Sequence, residues 1–412
     1  MRILWLKTDL LHPIDRGGKI RTYHMLRALK QHHHVTYVAL DNGRAPAEAA
    51  ALASEYCHEL VRVPYTEPER RTAAFWIDLA RNLLSPLPYA IGKYHSPAMR
   101  SVIAERVASG AVDLLVCDFL MPAQNVPDEL PCSTVLFQHN VEASIWRRHV
   151  EVQTGRLARA YFTKQFRRME QFEREQCRRF DVVVAVSEED AEALRVHYDV
   201  PRVRAIPTGV DTAAFAAADS SLAQPGKIVF VGAMDWMPNE DGIQWFAGDV
   251  LPLIRRQVPG ATLTIVGRNP GPAVRRLADA GAAITVTGTV PDVRPYLEAA
   301  SLVVVPLRVG GGTRLKIYEA MSMERPVVST TIGAEGLPLE EGEHIIRADD
   351  ATAFAAACTR LLQDPAGAWR MARAGGEYVR SSFGWERVAG EFARLCTEAD
   401  SMAGVAPQAQ QA

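Results

Sequence analysis

The chain of 412 residues is 48% hydrophobic and 23% charged, with a formal net charge of −2. It is too long for one ordinary core, so two domains are expected, and the near-balanced charge argues against a dedicated nucleic-acid binder. The six cysteines are scattered without a CxxC pair, which points to reduced thiols in a cytoplasmic setting rather than a disulfide framework. Residues 1 and 2 lead straight into a strand-like run, so no signal peptide is expected. The nearest thing to a membrane span, 73–92, is interrupted by Asp78, Arg81, Pro86 and Pro88.

Short apolar runs predict strands at 3–6, 35–40, 60–63, 114–117, 134–137, 182–186 and 203–206, with helical periodicity between most of them. This alternation is the rhythm of a parallel sheet covered on both faces. Residues 207–211 are turn-like and 213–226 are Ala/Ser-rich without an apolar stripe, which reads as an interdomain linker. The rhythm then restarts, with strands at 228–231, 263–266, 284–286, 302–305 and 327–329 and helices beginning near Asn239, Gly271 and Thr313. Helices are expected again at 351–362, 366–381 and 385–397, followed by a disordered Ala/Gln-rich tail over 401–412. In doubly wound sheets the ligand crevice lies beyond the carboxyl ends of the strands.

Several segments carry candidate chemistry. Gly17-Gly18 opens a helix after the first strand, where bare backbone can approach an anion or simply make a packing turn. His139 follows the strand at 134–137, so it faces the crevice and can donate a hydrogen bond to a sugar hydroxyl or a leaving phosphate; the plainer reading is a histidine satisfied near Glu142. Gly267 and Gly288 end strands of the second half and can flank a nucleobase through main-chain groups. The richest segment is 301–330, SLVVVPLRVGGGTRLKIYEAMSMERPVVST. Here a strand, a triple-glycine turn and a short helix form a βαβ unit whose helix N-terminus can hold an anion through the N–H groups of Gly311, Gly312 and Thr313. Arg314 and Lys316 place positive charge in the first helical turn, where the dipole disfavours it, which points to an anionic ligand. Glu319 can accept from the two hydroxyls of a ribose. The alternative is a tight turn with solvated charges.

Other features read as structural. His32-His33-His34 cannot converge on one ion, and no D-x-D pair occurs, so no metal site is expected. Residues 146–179 hold ten Arg/Lys against four Glu, interleaved with aromatics. This is either a long helix with a solvated face or a surface for peripheral contact with an anionic membrane.

Taken in order, the glycine loop DRGGKIRTYHMLRAL, the histidine of FQHNVE, VVVAVSEEDAEAL, IPTGVD, KIVFVGAM and the 301–330 segment resemble the retaining glycosyltransferases of family 4. The resemblance spans almost the whole chain. It implies the GT-B fold: an α/β architecture of two doubly wound Rossmann-like domains facing across a cleft. The acceptor-binding domain would be 1–208, the donor-binding domain 209–384, with a terminal helix over 385–400 crossing back. It implies transfer of a sugar from a nucleotide-diphosphate sugar to a hydroxyl acceptor, a glycan or a lipid-linked glycan, without a cofactor. Front-face displacement would proceed with the donor phosphate assisting the incoming hydroxyl. By position, Glu319 would hold the donor ribose, Gly17 and Gly18 would lie by the donor phosphates or the acceptor, His139 would stand near the transferred sugar, and Val290 would fall in the turn against the base.

The chain departs from the family pattern at two places. Gly311 stands where the first glutamate of the E-x7-E motif belongs. In the turn that starts at Gly232, Ala233 takes the usual arginine position and Asn239 lies roughly where a lysine is usual. Arg314 and Lys316 are therefore expected to supply the missing cations. A nucleotide-sugar epimerase and a non-catalytic sugar-nucleotide-binding protein are the alternative functions on the same fold.

Overall fold

The computed structural model describes residues 1–14, 17–67, 72–153, 155–279, 283–309 and 314–403. The chain forms two compact units, one of Met1–Pro207 joined by the segment from Glu386 onward, the other of Thr208–Trp385. The crossing falls at 207/208. The Ala/Ser-rich stretch expected as a linker belongs to the second unit, because Phe215 and Ala218 pack on that unit's core. Ser322 Oγ also donates to Phe215 O at 2.6 Å.

The first unit holds a seven-stranded parallel sheet of β1 (Arg2–Lys7), β2 (His34–Asp41), β3 (Glu59–Pro64), β4 (Leu114–Asp118), β5 (Ser133–Phe137), β6 (Val182–Ala185) and β7 (Val203–Ala205), in the order β3-β2-β1-β4-β5-β6-β7. The second holds β8 (Lys227–Val231), β9 (Thr262–Val266), β10 (Ile284–Gly288), β11 (Leu302–Val305), β12 (Val327–Ser329) and β13 (Ile346–Arg347), ordered β10-β9-β8-β11-β12-β13 and again parallel. Every expected strand is present. The two-residue β13 was not anticipated, since it is too short to show a period.

Burial explains the apolar runs. Ile228 and Phe230 of β8 join one core cluster while Val229 joins another, and β11 divides likewise, Leu302 and Val304 against Val303 and Val305. A strand with both faces covered has no polar side to alternate with, so it reads as continuous hydrophobicity. In the first unit, Phe392 of the helix Trp385–Ala403 packs on Trp5 and Phe137, with ring centroids 5.7 and 4.9 Å apart. The backbone of that helix continues through Ala403, past the expected start of the tail; residues 404–412 lie outside the described residues.

In each sheet the strand order reverses once, between β1 and β4 and between β8 and β11. Loops that leave neighbouring strands toward opposite faces open a crevice at that point. The candidate residues collect at these two places.

Candidate active site

At the first switch point, charged residues terminate apolar strands. Lys7 ends β1, Asp118 ends β4, and His139 lies two residues beyond β5. All three are buried. Asp118 Oδ2 accepts from Trp5 Nε1 at 2.9 Å, Thr22 Oγ1 at 2.6 Å and Lys7 Nζ at 2.9 Å, while Oδ1 pairs with His139 Nε2 at 2.8 Å. The Thr22 hydroxyl accepts from Lys7 at 2.9 Å and gives its one proton to the carboxylate. Burial alone would push the Asp118 carboxyl up, but the Lys7 charge and the bonds from His139 and Thr22 outweigh it and hold the group well below the usual carboxylate range. Burial lowers His139 to about 3 despite the neighbouring carboxylate.

These two states fix the tautomer. An ionised carboxylate only accepts, so neutral His139 carries its proton on Nε2 and donates to Asp118. Nδ1 is then a lone pair. It is buried and has no hydrogen-bond partner among the described residues, and it lies 3.7 Å from where a Cβ on Gly18 would stand. With its proton committed to Asp118, the neutral ring has only an acceptor left at Nδ1.

The ring is held by Phe119 on one face and by Phe137 edge-on, the latter with centroids 4.9 Å apart. Phe119 stacks on it at 3.8 Å and 9°, with Lys7 Nζ 4.4 Å from the phenyl centroid. Phe119 adopts φ 73°, a left-handed conformation rare for a bulky residue and common at functional sites. A Cβ on Gly18 would lie 2.8 Å from Phe119 Cζ, so glycine at the start of the helix Gly17–Lys30 is needed for the stack. Buried Arg21 donates to Gln138 O at 3.0 Å and to Ile206 O. Buried Glu173 accepts from Gln138 Nε2 at 3.2 Å and from the N–H groups of Glu142 and Ala143 at 2.8 and 3.0 Å. The loop carrying His139 is therefore clamped at both ends.

At the second switch point the helix Leu315–Ser322 begins one residue after Arg314. Gly311, Gly312 and Thr313 lie outside the described residues. Lys316 Nζ donates to Asn239 Oδ1 at 2.7 Å and stands 4.6 Å from the Phe230 ring centroid, and Asn239 Nδ2 donates to Ala233 O at 2.8 Å. A Cβ on Gly232 would meet both Lys316 Nζ and Asn239 Nδ2 at 2.8 Å. Lys316 thus delivers its charge to the turn where the family's arginine and lysine are absent. Buried Arg314 is engaged elsewhere: its guanidinium donates to Ile332 O at 2.9 Å and lies 3.8 Å from Glu335.

Glu319 sits one turn on from Lys316, on the same helix face. Its carboxylate takes no hydrogen bond from a described residue, and burial raises it to about 7 against the opposing pull of Lys316. Burial and the nearby Arg314 charge bring Lys316 down to about 7. Beside β9 and β10, Asn269, Pro270, Arg275, Val286, Thr287 and Gly288 help line an open pocket of about 400 Å³. Val290, two residues past β10, packs on the core beneath. Among the described residues, no group of three or more His, Cys, Asp or Glu is placed to hold a metal ion, and no helix is long and apolar enough to cross a membrane.

Gly232→Ala tests the geometry of this turn. The added methyl must displace Lys316 or Asn239, so donor affinity should fall about tenfold or more with little change in melting temperature. Isothermal titration against the donor reads the effect, and unchanged affinity would show that the lysine does not serve this turn.

Sequence reasoning missed Lys7, Thr22, Asp118 and Phe119. The available signal was a charged residue closing an apolar strand, as Lys7 does for β1 and Asp118 for β4. Such a residue stands at the carboxyl edge, where ligands bind.

Two parallel Rossmann-like sheets, each with polar residues gathered at its switch point, give the GT-B fold. Residues 16–214 match Glycosyltransferase Family 4 and residues 225–364 match Glycosyl transferases group 1, and the chain belongs to this family. It is similar to glycogen synthase of Mycobacterium tuberculosis, 29% identical over 204 residues that make up 47% of this chain and 48% of that one. The chain spans about a fifth to a half of the length of the curated relatives it matches. In structure it resembles sucrose-phosphate synthase from Thermosynechococcus elongatus, with a TM-score of 0.71 and 19% identity over 98% of this chain and 100% of that one. It also resembles Anabaena HepE in complex with UDP and glucose, with a TM-score of 0.65 and 13% identity over 96% and 99% of the two chains. At these identities the structural likeness speaks for the fold.

Proposed function

We propose that the protein is a retaining glycosyltransferase that moves a sugar from a nucleotide-diphosphate sugar to a hydroxyl acceptor in polysaccharide or glycolipid synthesis. The observation that carries this reading is the pairing of Lys316 at the Gly232 turn with the Glu319 carboxylate one helical turn away, which takes no hydrogen bond from a described residue. A cation beside a glycine turn suits a diphosphate, and a carboxylate beyond it suits the vicinal hydroxyls of a ribose. The pocket at Asn269–Thr289 has room for a base. UDP is the first nucleotide to test, because the HepE neighbour was solved with it.

Breaking the sugar–phosphate bond places negative charge on the departing diphosphate. Lys316 would stabilise that charge, and losing one such fixed donor costs about 3 kcal/mol, roughly a hundredfold in rate. Arg314, tied to Ile332 and Glu335, would shape the turn and raise the local positive potential. His139, its ring fixed by Asp118 and Phe119, would stand near the transferred sugar. The donor phosphate itself would assist the incoming hydroxyl, and no protein nucleophile is invoked. In this reading the positive charge at the diphosphate comes from the protein's own side chains and no metal is required.

A thermal-shift screen of UDP-, GDP- and ADP-sugars identifies the donor, because ligand binding stabilises the folded state by mass action. Glu319→Ala should then weaken donor binding about ten- to a hundredfold, and equal affinity in both proteins would remove the ribose assignment. Product NMR reads the anomeric configuration; an inverted linkage would overturn the retaining mechanism.

A further inference from the structure

The basic stretch expected as one long helix is two, Glu142–Val152 and Arg156–Arg179. The second divides its faces cleanly. Gln165, Met169, Phe172, Glu173, Gln176 and Cys177 are buried. Away from that face, Arg156, Arg159, Lys164, Arg167 and Arg168 line an open groove. Among the described residues no carboxylate forms an ion pair with any of these five. A solvated helix face ordinarily intersperses both signs; this one is cationic for more than three turns.

An apolar edge adjoins the stripe. Lys164 and Arg168 bind the carbonyl of Leu83, each at 2.9 Å, and Arg168 also binds that of Asn82 at 2.9 Å. The cations thus hold the end of the helix Ala73–Asn82 against the arginine-rich helix. Leu84 beside this junction is 92% exposed, and Leu157, seven residues before Lys164 on the same side, is 89% exposed. Trp76 and Ile77 of the neighbouring helix are 57% and 52% exposed. Single exposed leucines need no explanation, but two almost fully exposed leucines, Leu84 next to the bonded Leu83 and Leu157 within the row of cations, mark an interaction surface.

We propose that this surface docks on an anionic phospholipid bilayer. The arginines match phosphate and acidic headgroups, and Leu84 and Leu157 would enter the interfacial region, as amphipathic helices do when they lie on a membrane. A soluble polyanionic glycan would satisfy the cations and leave the apolar side chains in water, so the bilayer fits both halves of the surface. Docking would bring the enzyme to lipid-linked acceptors, but the inference stands on this face alone, and its test reads vesicle binding without any transfer reaction.

Co-sedimentation of the full chain with vesicles of phosphatidylglycerol and phosphatidylcholine in equal parts, against pure phosphatidylcholine, gives the test. The wild type should partition onto the anionic vesicles and not onto the neutral ones. Combined Arg156→Glu, Arg159→Glu and Arg167→Glu should lower the partition coefficient about a hundredfold or more. Leu84→Glu and Leu157→Glu should each lower it about tenfold. The two variant sets alter separate exposed positions, so a folding defect in one, seen by circular dichroism, leaves the other readable. A wild type that stays in the supernatant, equal binding to neutral vesicles, or variants that sediment like the wild type would each overturn the proposal. Retention on heparin without vesicle binding would also overturn it, in favour of a polyanionic glycan.

Discussion

Asp118→Asn is expected to lower both stability and turnover, by different routes. The carboxylate is the buried counter-charge of Lys7 and accepts from Trp5, Thr22 and His139. An amide keeps the shape but loses the charge, leaving the Lys7 ammonium unpaired in the interior. Breaking a buried pair on one side costs about 3–5 kcal/mol, or roughly 10 °C in melting temperature for a unit of this size. The amide oxygen will face the three donors at Oδ2, which turns its NH2 toward His139. The histidine must then accept on Nε2 and move its proton to Nδ1, so Nδ1 changes from acceptor to donor. Turnover should fall about a hundredfold or more. Adding Lys7→Met to this variant should recover much of the stability and none of the activity, because it removes the orphaned charge without restoring the tautomer. Thermal melts and initial rates of the three proteins decide the matter; a single variant that melts and turns over like the wild type would refute the network's role.

Lys316→Met should abolish most of the donor binding and change its pH dependence. In the free protein Lys316 is brought down to about 7, first by burial and then by Arg314. A bound diphosphate stabilises the ammonium, so above pH 7 binding must take up a proton, and affinity falls by up to tenfold per pH unit. Glu319 acts in the opposite sense. Burial raises it to about 7, and in the proposed role it would accept from both ribose hydroxyls only when ionised, so affinity should fall as pH drops below 7. Donor affinity should therefore peak near pH 7. Lys316→Met removes the alkaline limb, with affinity at the optimum reduced about ten- to a hundredfold. Glu319→Gln removes the acid limb. Titration calorimetry between pH 5.5 and about 8.5 measures the profile, and a flat wild-type curve would show that neither group meets the donor.

Length, apolar runs and glycine turns determined the architecture of this protein from the sequence alone. Strands buried on both faces, such as β6 and β11, cannot hide their hydrophobicity, and the rhythm of the runs marks two doubly wound sheets. The segment around Lys316 and Glu319 was also readable, because a helix start, two cations and a carboxylate lie within a few consecutive residues. Residues far apart in sequence were not. Asp118, Lys7, Thr22 and His139 come from two strand ends, a helix and a loop, and nothing in their spacing foretells that they meet. The tautomer of His139 and the engagement of Arg314 with Ile332 and Glu335 depend on which partners burial brings within hydrogen-bond reach. Local pattern follows from the chain's own periodicity. A hydrogen bond at 2.8 Å between strand-end residues, and the proton position it dictates, exists only once two parallel strands have set their register.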